Sequence, residues 1–115
     1  MENTELPLVT VMIPCYNHEK FIKESIQSVI DQTYSRLELI VIDDGSKDNS
    51  IQIIEEMRLA CEQRFEYFQF VFRENRGLSR TLNQGLSLAR GEYFSIVASD
   101  DIMLSEKTAI QVDVF

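Results

Sequence analysis

The sequence is poor in cysteine, proline, glycine and histidine, and these shortages exclude several classes of protein. Its 115 residues include two cysteines, two prolines, four glycines and one histidine. Two cysteines that lie far apart form no disulfide framework and no zinc-ligand spacing, so we expect reduced thiols. His18 has no serine or cysteine nucleophile arranged beside it, so we place it on the surface of a first helical turn. Dinucleotide oxidoreductases need a glycine-rich turn after the first strand, and that turn is missing here.

Positive charge is also scarce, and there is no long apolar run. Lysine and arginine number 11 against 19 acidic residues, a net charge of −8. Such a surface repels phosphate backbones, so we expect no nucleic-acid partner. Spanning a bilayer takes about 20 consecutive apolar residues, so we expect no transmembrane segment in this chain. The apolar fraction of 44% is typical of a globular protein, and we expect a single domain over residues 1–115.

Short apolar runs alternate with segments of helical spacing. The runs predict four strands, at residues 8–13, 37–42, 67–72 and 92–98. The helical spacing covers residues 18–32, a stripe from Ile53 to Cys61, a stripe from Leu78 to Ala89, and residues 105–115. This alternation predicts an α/β fold: an open, mainly parallel, Rossmann-like sheet in the order 3-2-1-4, with helices on both faces. The third run is short and aromatic, which favours an edge strand.

Polar residues follow three of the predicted strands at the point where each ends. They are Pro14–Asn17, Asp43–Ser46 and Ser99–Asp101. Ligands of open parallel sheets bind outside the carboxyl ends of the strands, where the strand order reverses. The pattern therefore predicts one site that is rich in negative charge. Such a site favours a divalent cation and, through it, a phosphate.

Individual residues of these segments have more than one possible role. Tyr16 offers a flat face for a planar ring, or it covers the rim of the core. Asp43 and Asp44 point to opposite sides of an extended chain, so one can accept a hydrogen bond from a ring N–H while the other holds the following turn. Asn17 and Glu19 can cap the next helix.

Further along the chain, two more groups are candidates. The adjacent carboxylates of Asp100 and Asp101 suit a metal and a sugar hydroxyl, or form a solvated acidic loop. Arg76 or Arg80 can reach a phosphate, although surface arginines are common.

Several segments, taken in order, resemble the family 2 glycosyltransferases. They are Val11–Asn17, Gln32–Tyr34, Ile42–Asp48, Asn75–Gly77, Gly91–Tyr93 and Ser99–Asp101. Each motif alone is weakly specific, but their order and spacing together are highly specific. The resemblance extends from about Leu8 to Leu104. It implies the GT-A fold and an inverting, metal-dependent hexosyltransferase that uses nucleotide-diphosphate sugars.

The resemblance also implies roles for particular positions. Tyr16 corresponds to the residue that packs on the nucleotide base, Asp44 to the carboxylate that contacts the base, and the acidic motif to the group that holds the ribose and a divalent metal (Mn²⁺ or Mg²⁺). The implied nucleotide-binding residues are Pro14, Tyr16, Asn17, Glu19, Asp43, Asp44, Ser99 and Asp100. The implied metal ligands are Asp100 and Asp101. Two positions depart from the family pattern, which often has aspartate at Ala98 and arginine at Leu82.

The resemblance further implies partners and a location. The donor is a UDP- or GDP-sugar, and the acceptor is an unknown glycan or lipid-linked molecule, as in polysaccharide and cell-envelope biosynthesis. We expect the acceptor half and the general base beyond Phe115, so that this chain binds nucleotide and metal with little or no turnover. A cytoplasmic location is expected, and peripheral attachment at the inner face of the membrane stays open.

Two alternatives remain at this point. The first is a receiver-like signalling domain, which also binds Mg²⁺ through an acidic pair at a strand end. It is disfavoured because no lysine follows the fourth strand until Lys107. The second is a nucleotide-binding module that performs no chemistry.

Overall fold

A computed structural model describes residues 6–97. The strands are β1 Val9–Cys15, β2 Leu37–Asp43, β3 Tyr67–Phe72 and β4 Tyr93–Ile96. The helices are α1 Ile22–Ile30, α2 Ser50–Glu56, α3 Arg58–Arg64 and α4 Leu78–Leu88. The four strands form one parallel sheet in the order β3-β2-β1-β4, which confirms the predicted topology and the edge position of β3. Within the described range, no helix combines the length and apolar character needed to cross a membrane.

The two central strands end level with each other. Their register pairs Val9 with Leu37 at one end and Cys15 with Asp43 at the other. Every residue of β2 is buried, as expected for a parallel strand that is covered on both faces. The polar residues that follow β1 and β2 therefore emerge side by side at one edge of the sheet.

Helices cover both faces of the sheet, as predicted. On one face, α1, α2 and α3 pack on alternate residues of the central strands, in a cluster that includes Ile26, Ile54 and Cys61. On the other face, α4 packs on a smaller cluster of Met12, Ile40 and Ile42. The period-two alternation of a strand sends neighbouring side chains to these opposite faces, so both clusters come from the same apolar runs.

One helical stripe is divided into two helices. The apolar residues from Ile53 to Cys61 lie on α2 and α3, which are separated at Met57. The N–H of Met57 donates to the carbonyl of Ile54 at 3.0 Å, three residues back, which tightens the last turn of α2. The apolar spacing continues across this break because α2 and α3 pack on the same face of the sheet. The helix predicted at 105–115 lies outside the described residues.

Candidate functional site

A cleft of about 480 Å³ opens at the carboxyl ends of the strands, beside the N-terminal end of α4. It lies where the strand order reverses between β1 and β4, the crevice in which open parallel sheets bind ligands. Its lining residues are Pro14, Cys15, Tyr16, His18, Asp44, Asn75, Gly77, Leu78, Thr81, Leu82 and Ile96. The walls are mainly apolar with a few polar groups, as is usual for a small-molecule pocket.

The end of β1 places Tyr16 at the mouth of this cleft. β1 continues two residues beyond its predicted end, so that Pro14 lies inside the strand. The carbonyl of Met12 accepts a hydrogen bond from Val97 N–H at 2.9 Å, and the pairing of β1 with β4 ends at Met12. Pro14, two residues further on, faces the same side, where no strand of residues 6–97 pairs with it, so its missing N–H interrupts no hydrogen bond between the described strands. Tyr16 follows with 43% of its surface exposed, so its ring is open to a stacking partner.

The two aspartates at the end of β2 have different roles, as predicted. The carboxylate of Asp43 accepts hydrogen bonds from Ser46 N–H at 2.7 Å and from Ser46 Oγ at 2.5 Å, so it holds the turn. Gly45 lies in that turn with φ of 85°, and a Cβ there would be 2.7 Å from the backbone nitrogen of Asn75. Only glycine fits these two constraints. Asp44 is the member of the pair that lines the cleft.

The carboxylate of Asp44 is held by three donors from the segment after β3. It forms an ion pair with the guanidinium of Arg73, and it accepts hydrogen bonds from Arg76 N–H at 2.8 Å and Gly77 N–H at 3.1 Å. Burial raises the pKa of Asp44, but these hydrogen bonds and the charge of Arg73 outweigh it, so the pKa is lowered overall. The group is therefore a fixed anion at neutral pH.

Asn17 does not cap α1, contrary to prediction. Phe21 occupies the N-cap position of that helix, with no side-chain cap. Asn17 adopts a left-handed conformation, with φ of 53°, and turns toward the loop after β2. Its N–H donates to Ser46 Oγ at 2.8 Å, and its Oδ1 accepts from Lys47 N–H at 2.8 Å. The prediction failed because a neighbouring loop competes for the side chain.

Glu19 also bonds to the neighbouring loop instead of capping α1. Its N–H donates to Asp48 Oδ2 at 3.1 Å, and its Oε2 accepts from Asn49 N–H at 3.2 Å, at the start of α2. Asp48 precedes the N-cap residue of α2, Asn49, and its Oδ1 accepts from Ser50 N–H at 2.9 Å. Burial raises the pKa of Asp48, but the hydrogen bonds from Ser50 lead the effects that lower it overall. Asn17 and Glu19 thus shape the wall behind Tyr16, and neither is among the residues that line the cleft.

His18 lies in the cleft lining rather than on the surface of the first helical turn. α1 begins only at Ile22, so His18 belongs to the preceding loop. Its backbone N–H donates to Ser50 Oγ at 3.1 Å, and its ring meets Phe21 edge-on at 6.5 Å between centroids. This position makes the imidazole a neighbour of any ligand in the cleft.

The acidic motif lies outside the described residues, together with Ala98. The segment Ser99–Asp101 follows β4, whose last residue, Ile96, lines the cleft. Within residues 6–97, no three acidic, histidine or cysteine side chains are grouped so that they could hold a metal ion. The assignment of a metal to Asp100 and Asp101 therefore stays a prediction.

Arg73 is the residue of the site that sequence reasoning missed. Besides its ion pair with Asp44, its Nε donates to Gln84 Oε1 and its Nη2 to Thr81 Oγ1, both at 2.8 Å. These bonds join the end of β3, the cleft and α4. No pattern in the sequence indicates this role, because the register that sets Phe72 level with Asp43, and Arg73 beside Asp44, is known only from the fold.

The side chains of the two candidate arginines of this region lie outside the cleft, although the backbone N–H of Arg76 donates to Asp44. Arg76 and Arg80 line a separate depression on the outer side of α4. Leu82, at the position where the resemblance implies that arginine is common, does line the cleft. The cleft wall formed by α4 is thus more apolar than the resemblance implies.

Sequence comparison identifies the family that the chain resembles. The model of glycosyl transferase family 2 matches residues 10–115. An uncharacterised glycosyltransferase of Rickettsia conorii is 41% identical over 107 residues, which are 93% of this chain and 17% of that protein. Glycosyltransferase GlyG of Streptococcus pneumoniae is 37% identical over 97 residues, 84% of this chain and 31% of GlyG. The chain thus spans less than a third of either relative. These matches favour a glycosyltransferase over a receiver-like domain.

Structure comparison gives the same result. The mannosyltransferase PcManGT from Pyrobaculum calidifontis, in complex with GDP-Man and Mn²⁺, matches with a TM-score of 0.77 and 29% identity, over 88% of this chain and 30% of that one. S. aureus TarS 1–349 in complex with UDP matches with a TM-score of 0.81 and 29% identity, over 92% of this chain and 31% of that one. The predicted GT-A fold is confirmed.

Proposed function

The chain belongs to glycosyl transferase family 2, and on that premise we propose that its cleft binds the nucleotide of a nucleotide-diphosphate sugar donor. The observation that carries this proposal is the convergence of Tyr16 and Asp44 on one cleft, from two different strand ends. A nucleobase has a flat face, which can stack on an exposed aromatic ring, and an N–H edge, which can donate to a buried carboxylate.

Asp44 keeps one acceptor position for such an edge. A carboxylate offers about four lone-pair sites. Oδ1 accepts from Arg73 and from Arg76 N–H, whereas Gly77 N–H, at 3.1 Å, is the one donor to Oδ2 within the described range. The remaining lone pair of Oδ2 suits a ring N–H, and the fixed geometry of the group favours a single orientation of the base. We extend the proposal to Pro14, which shapes this wall, and to Asn17, Glu19 and Asp43, which hold it.

Asp100 and Asp101 are the residues that we propose for the divalent metal, and Ser99 and Asp100 for the nucleotide. The donor set fits, because Mg²⁺ and Mn²⁺ prefer carboxylate oxygens together with substrate phosphates. When bound, the metal neutralises negative charge on the departing nucleoside diphosphate. The residues of this chain then orient the donor, because Tyr16 and Asp44 fix the base.

The reaction that we propose is transfer of the sugar to an acceptor hydroxyl with inversion at the anomeric carbon. GDP-Man and UDP in the matched structures make both guanine and uracil plausible bases for this cleft. The acceptor and the general base are not assigned to any described residue. Among the described residues that line the cleft, the one carboxylate is that of Asp44, whose lowered pKa makes it a poor base.

Calorimetric titration of the chain with UDP and GDP, with and without Mn²⁺, tests the proposal. We expect Tyr16→Ala to weaken nucleotide binding about tenfold, because stacking of a base on an aromatic ring is worth about 1–3 kcal/mol. Tyr16→Phe keeps the ring and should bind like the original chain. Tyr67→Ala is the matched control, because Tyr67 is 40% exposed and lies on β3, away from the cleft.

Two results would overturn the proposal. One is that neither nucleotide binds, and the other is that Tyr67→Ala weakens binding as much as Tyr16→Ala. The metal assignment is tested separately with Asp100→Asn and Asp101→Asn, which should abolish any gain in affinity on adding Mn²⁺. If the gain persists in the double variant, the metal assignment is wrong although the base site stands.

A further inference from the structure

A second depression, of about 360 Å³, lies on the outer side of α4. It is lined by Arg73, Arg76, Arg80, Asn83, Gln84 and Ser87. From Arg80 to Ser87, these residues recur at three- and four-residue spacing, so one helical face presents them together. None of them lines the cleft that we assign to the nucleotide.

Two of these arginines differ from the others in the part of the chain that the structure describes, because their guanidinium groups have no partner there. Among residues 6–97, neither the Arg76 nor the Arg80 guanidinium has an ion pair or a hydrogen bond. The other described arginines all bond to carboxylates or backbone carbonyls; they are Arg36, Arg58, Arg64, Arg73 and Arg90. This lack of a carboxylate partner is unexpected in a chain with 19 acidic residues and 11 basic ones.

The depression contains donors and no carboxylate. Its lining includes three guanidinium groups, two side-chain amides and a hydroxyl, but no aspartate or glutamate. Gln84 accepts from Arg73 through Oε1, which leaves its amide N–H groups as donors. The positive charge of Arg73 is offset by its ion pair with Asp44, whereas no described carboxylate offsets the charges of Arg76 and Arg80. A set of forked donors around a hollow matches a tetrahedral oxyanion.

We propose that this depression binds a phosphate group, through the guanidinium groups of Arg76 and Arg80 and the amides of Asn83 and Gln84. The phosphate is either the free ion or a diester in a larger molecule, and both present non-bridging oxygens that accept hydrogen bonds from guanidinium groups. The site is separate from the nucleotide cleft, and the proposal does not depend on the proposed function.

Titration of ¹⁵N-labelled chain by NMR, without any nucleotide and at constant ionic strength, tests this proposal. The probes are inorganic phosphate for the free ion and dimethyl phosphate for the diester. We expect saturable shifts of the Arg76 and Arg80 Nε–H signals and of the Asn83 and Gln84 amides. The probe with the lower Kd identifies the source of the phosphate. In the Arg76→Gln, Arg80→Gln double variant, binding should weaken about tenfold or more.

The matched control is Arg36→Gln, Arg58→Gln, which removes two partly exposed arginines that are already paired. This variant should bind phosphate like the original chain. The backbone spectrum of each variant reports whether it remains folded. The proposal is overturned if both double variants lose binding equally, if the shifts are linear and spread over the lysines, or if they centre on Tyr16 and His18.

Discussion

Asp44 and Arg73 are the residues on which the described part of the site most depends. Their side chains are only 9% and 14% exposed, so neither charge is well hydrated without the other. The pair joins the end of β2 to the end of β3, and Arg73 continues the connection to Thr81 and Gln84 of α4. Removal of one charged group leaves the other partly buried and without an opposite charge. This costs more free energy than the pair itself contributes.

We expect Asp44→Asn to lower the free energy of unfolding at pH 7 by about 2–3 kcal/mol, the usual range for a hydrogen-bonded charge that loses its partner. Urea titration followed by circular dichroism measures the change. Glu24→Gln is the control, because Glu24 is an exposed carboxylate of α1, and it should change stability by less than about 0.5 kcal/mol.

The difference in the free energy of unfolding between the original chain and Asp44→Asn should depend on pH. Because the folded-state pKa of Asp44 is lowered, its contribution is fully present above the unfolded value, about 3.9, and is lost as the pH falls through the folded value. The difference between the original chain and Asp44→Asn should therefore narrow below about pH 4. A difference that stays constant into this acidic range would contradict the role given to the charge.

The helices and strands could be predicted from the sequence more reliably than the residues at which they begin and end. All four strands were predicted from apolar runs, which need no information from elsewhere in the chain. The runs of β1 and β2 are continuous because nearly all of their residues are buried in the parallel sheet, whereas β3 and β4 contain no fully buried residue and were predicted from short runs with aromatic residues. The caps of α1 were wrong because Asn17 and Glu19 bond to a loop that lies about 30 residues away in sequence. The break at Met57 was missed since the apolar stripe crosses it unchanged.

The residues of the candidate site differed in the same way: some could be predicted from the sequence and others could not. Tyr16 and Asp44 were found by their position after a strand, which is a local property of the sequence. Arg73 was not found, because its role depends on partners in β2 and α4 that come together only in the fold.

Helix α4 approaches the sheet more closely than a side chain at Gly85 would allow. A Cβ there would be 2.3 Å from Sδ and 2.8 Å from Cε of Met12, whose side chain is completely buried. Helix propensity alone favours alanine at such a position by about 1 kcal/mol. The close packing should outweigh that preference, since the thioether has no solvent to move into.

Gly85→Ala should therefore lower the free energy of unfolding by about 1–3 kcal/mol. Ser79→Ala, at an exposed position of the same helix, should change it by less than about 0.5 kcal/mol. Combining Gly85→Ala with Met12→Ala should cost less than the sum of the two single changes, because each relieves the other. If Gly85→Ala raises stability, helix propensity rather than contact with Met12 controls this position.

At the scale of the whole molecule, the two faces of the sheet are unequal. Of the helices that the structure describes, three cover the larger apolar cluster and α4 covers the smaller one. Cys61 is in the larger cluster with no exposed surface, and burial raises the pKa of its thiol to about 11. Its reactivity therefore reports when this face opens, since the thiolate is the reactive form.

In a Cys15→Ser background, we expect Cys61 to react with a disulfide reagent at neutral pH only as fast as the protein unfolds. The comparison is Leu59→Cys on the same helix, with Cys15→Ser and Cys61→Ser, because Leu59 is 67% exposed. Cys61 should react at least about 1,000-fold more slowly, given the usual stability of folded domains. Similar rates at the two positions would mean that the larger face opens locally.

The bonds between the loops after β1 and β2 determine when the mouth of the cleft becomes ordered. Asn17 and Glu19 each both donate to and accept from the opposite loop, so the two loops are immobilised together as the chain folds. The conformational entropy of these segments is lost at that stage, and a ligand that arrives later meets a rigid receptor. Its capture should then be a single bimolecular step, with an observed rate that rises linearly with ligand concentration and reaches no plateau.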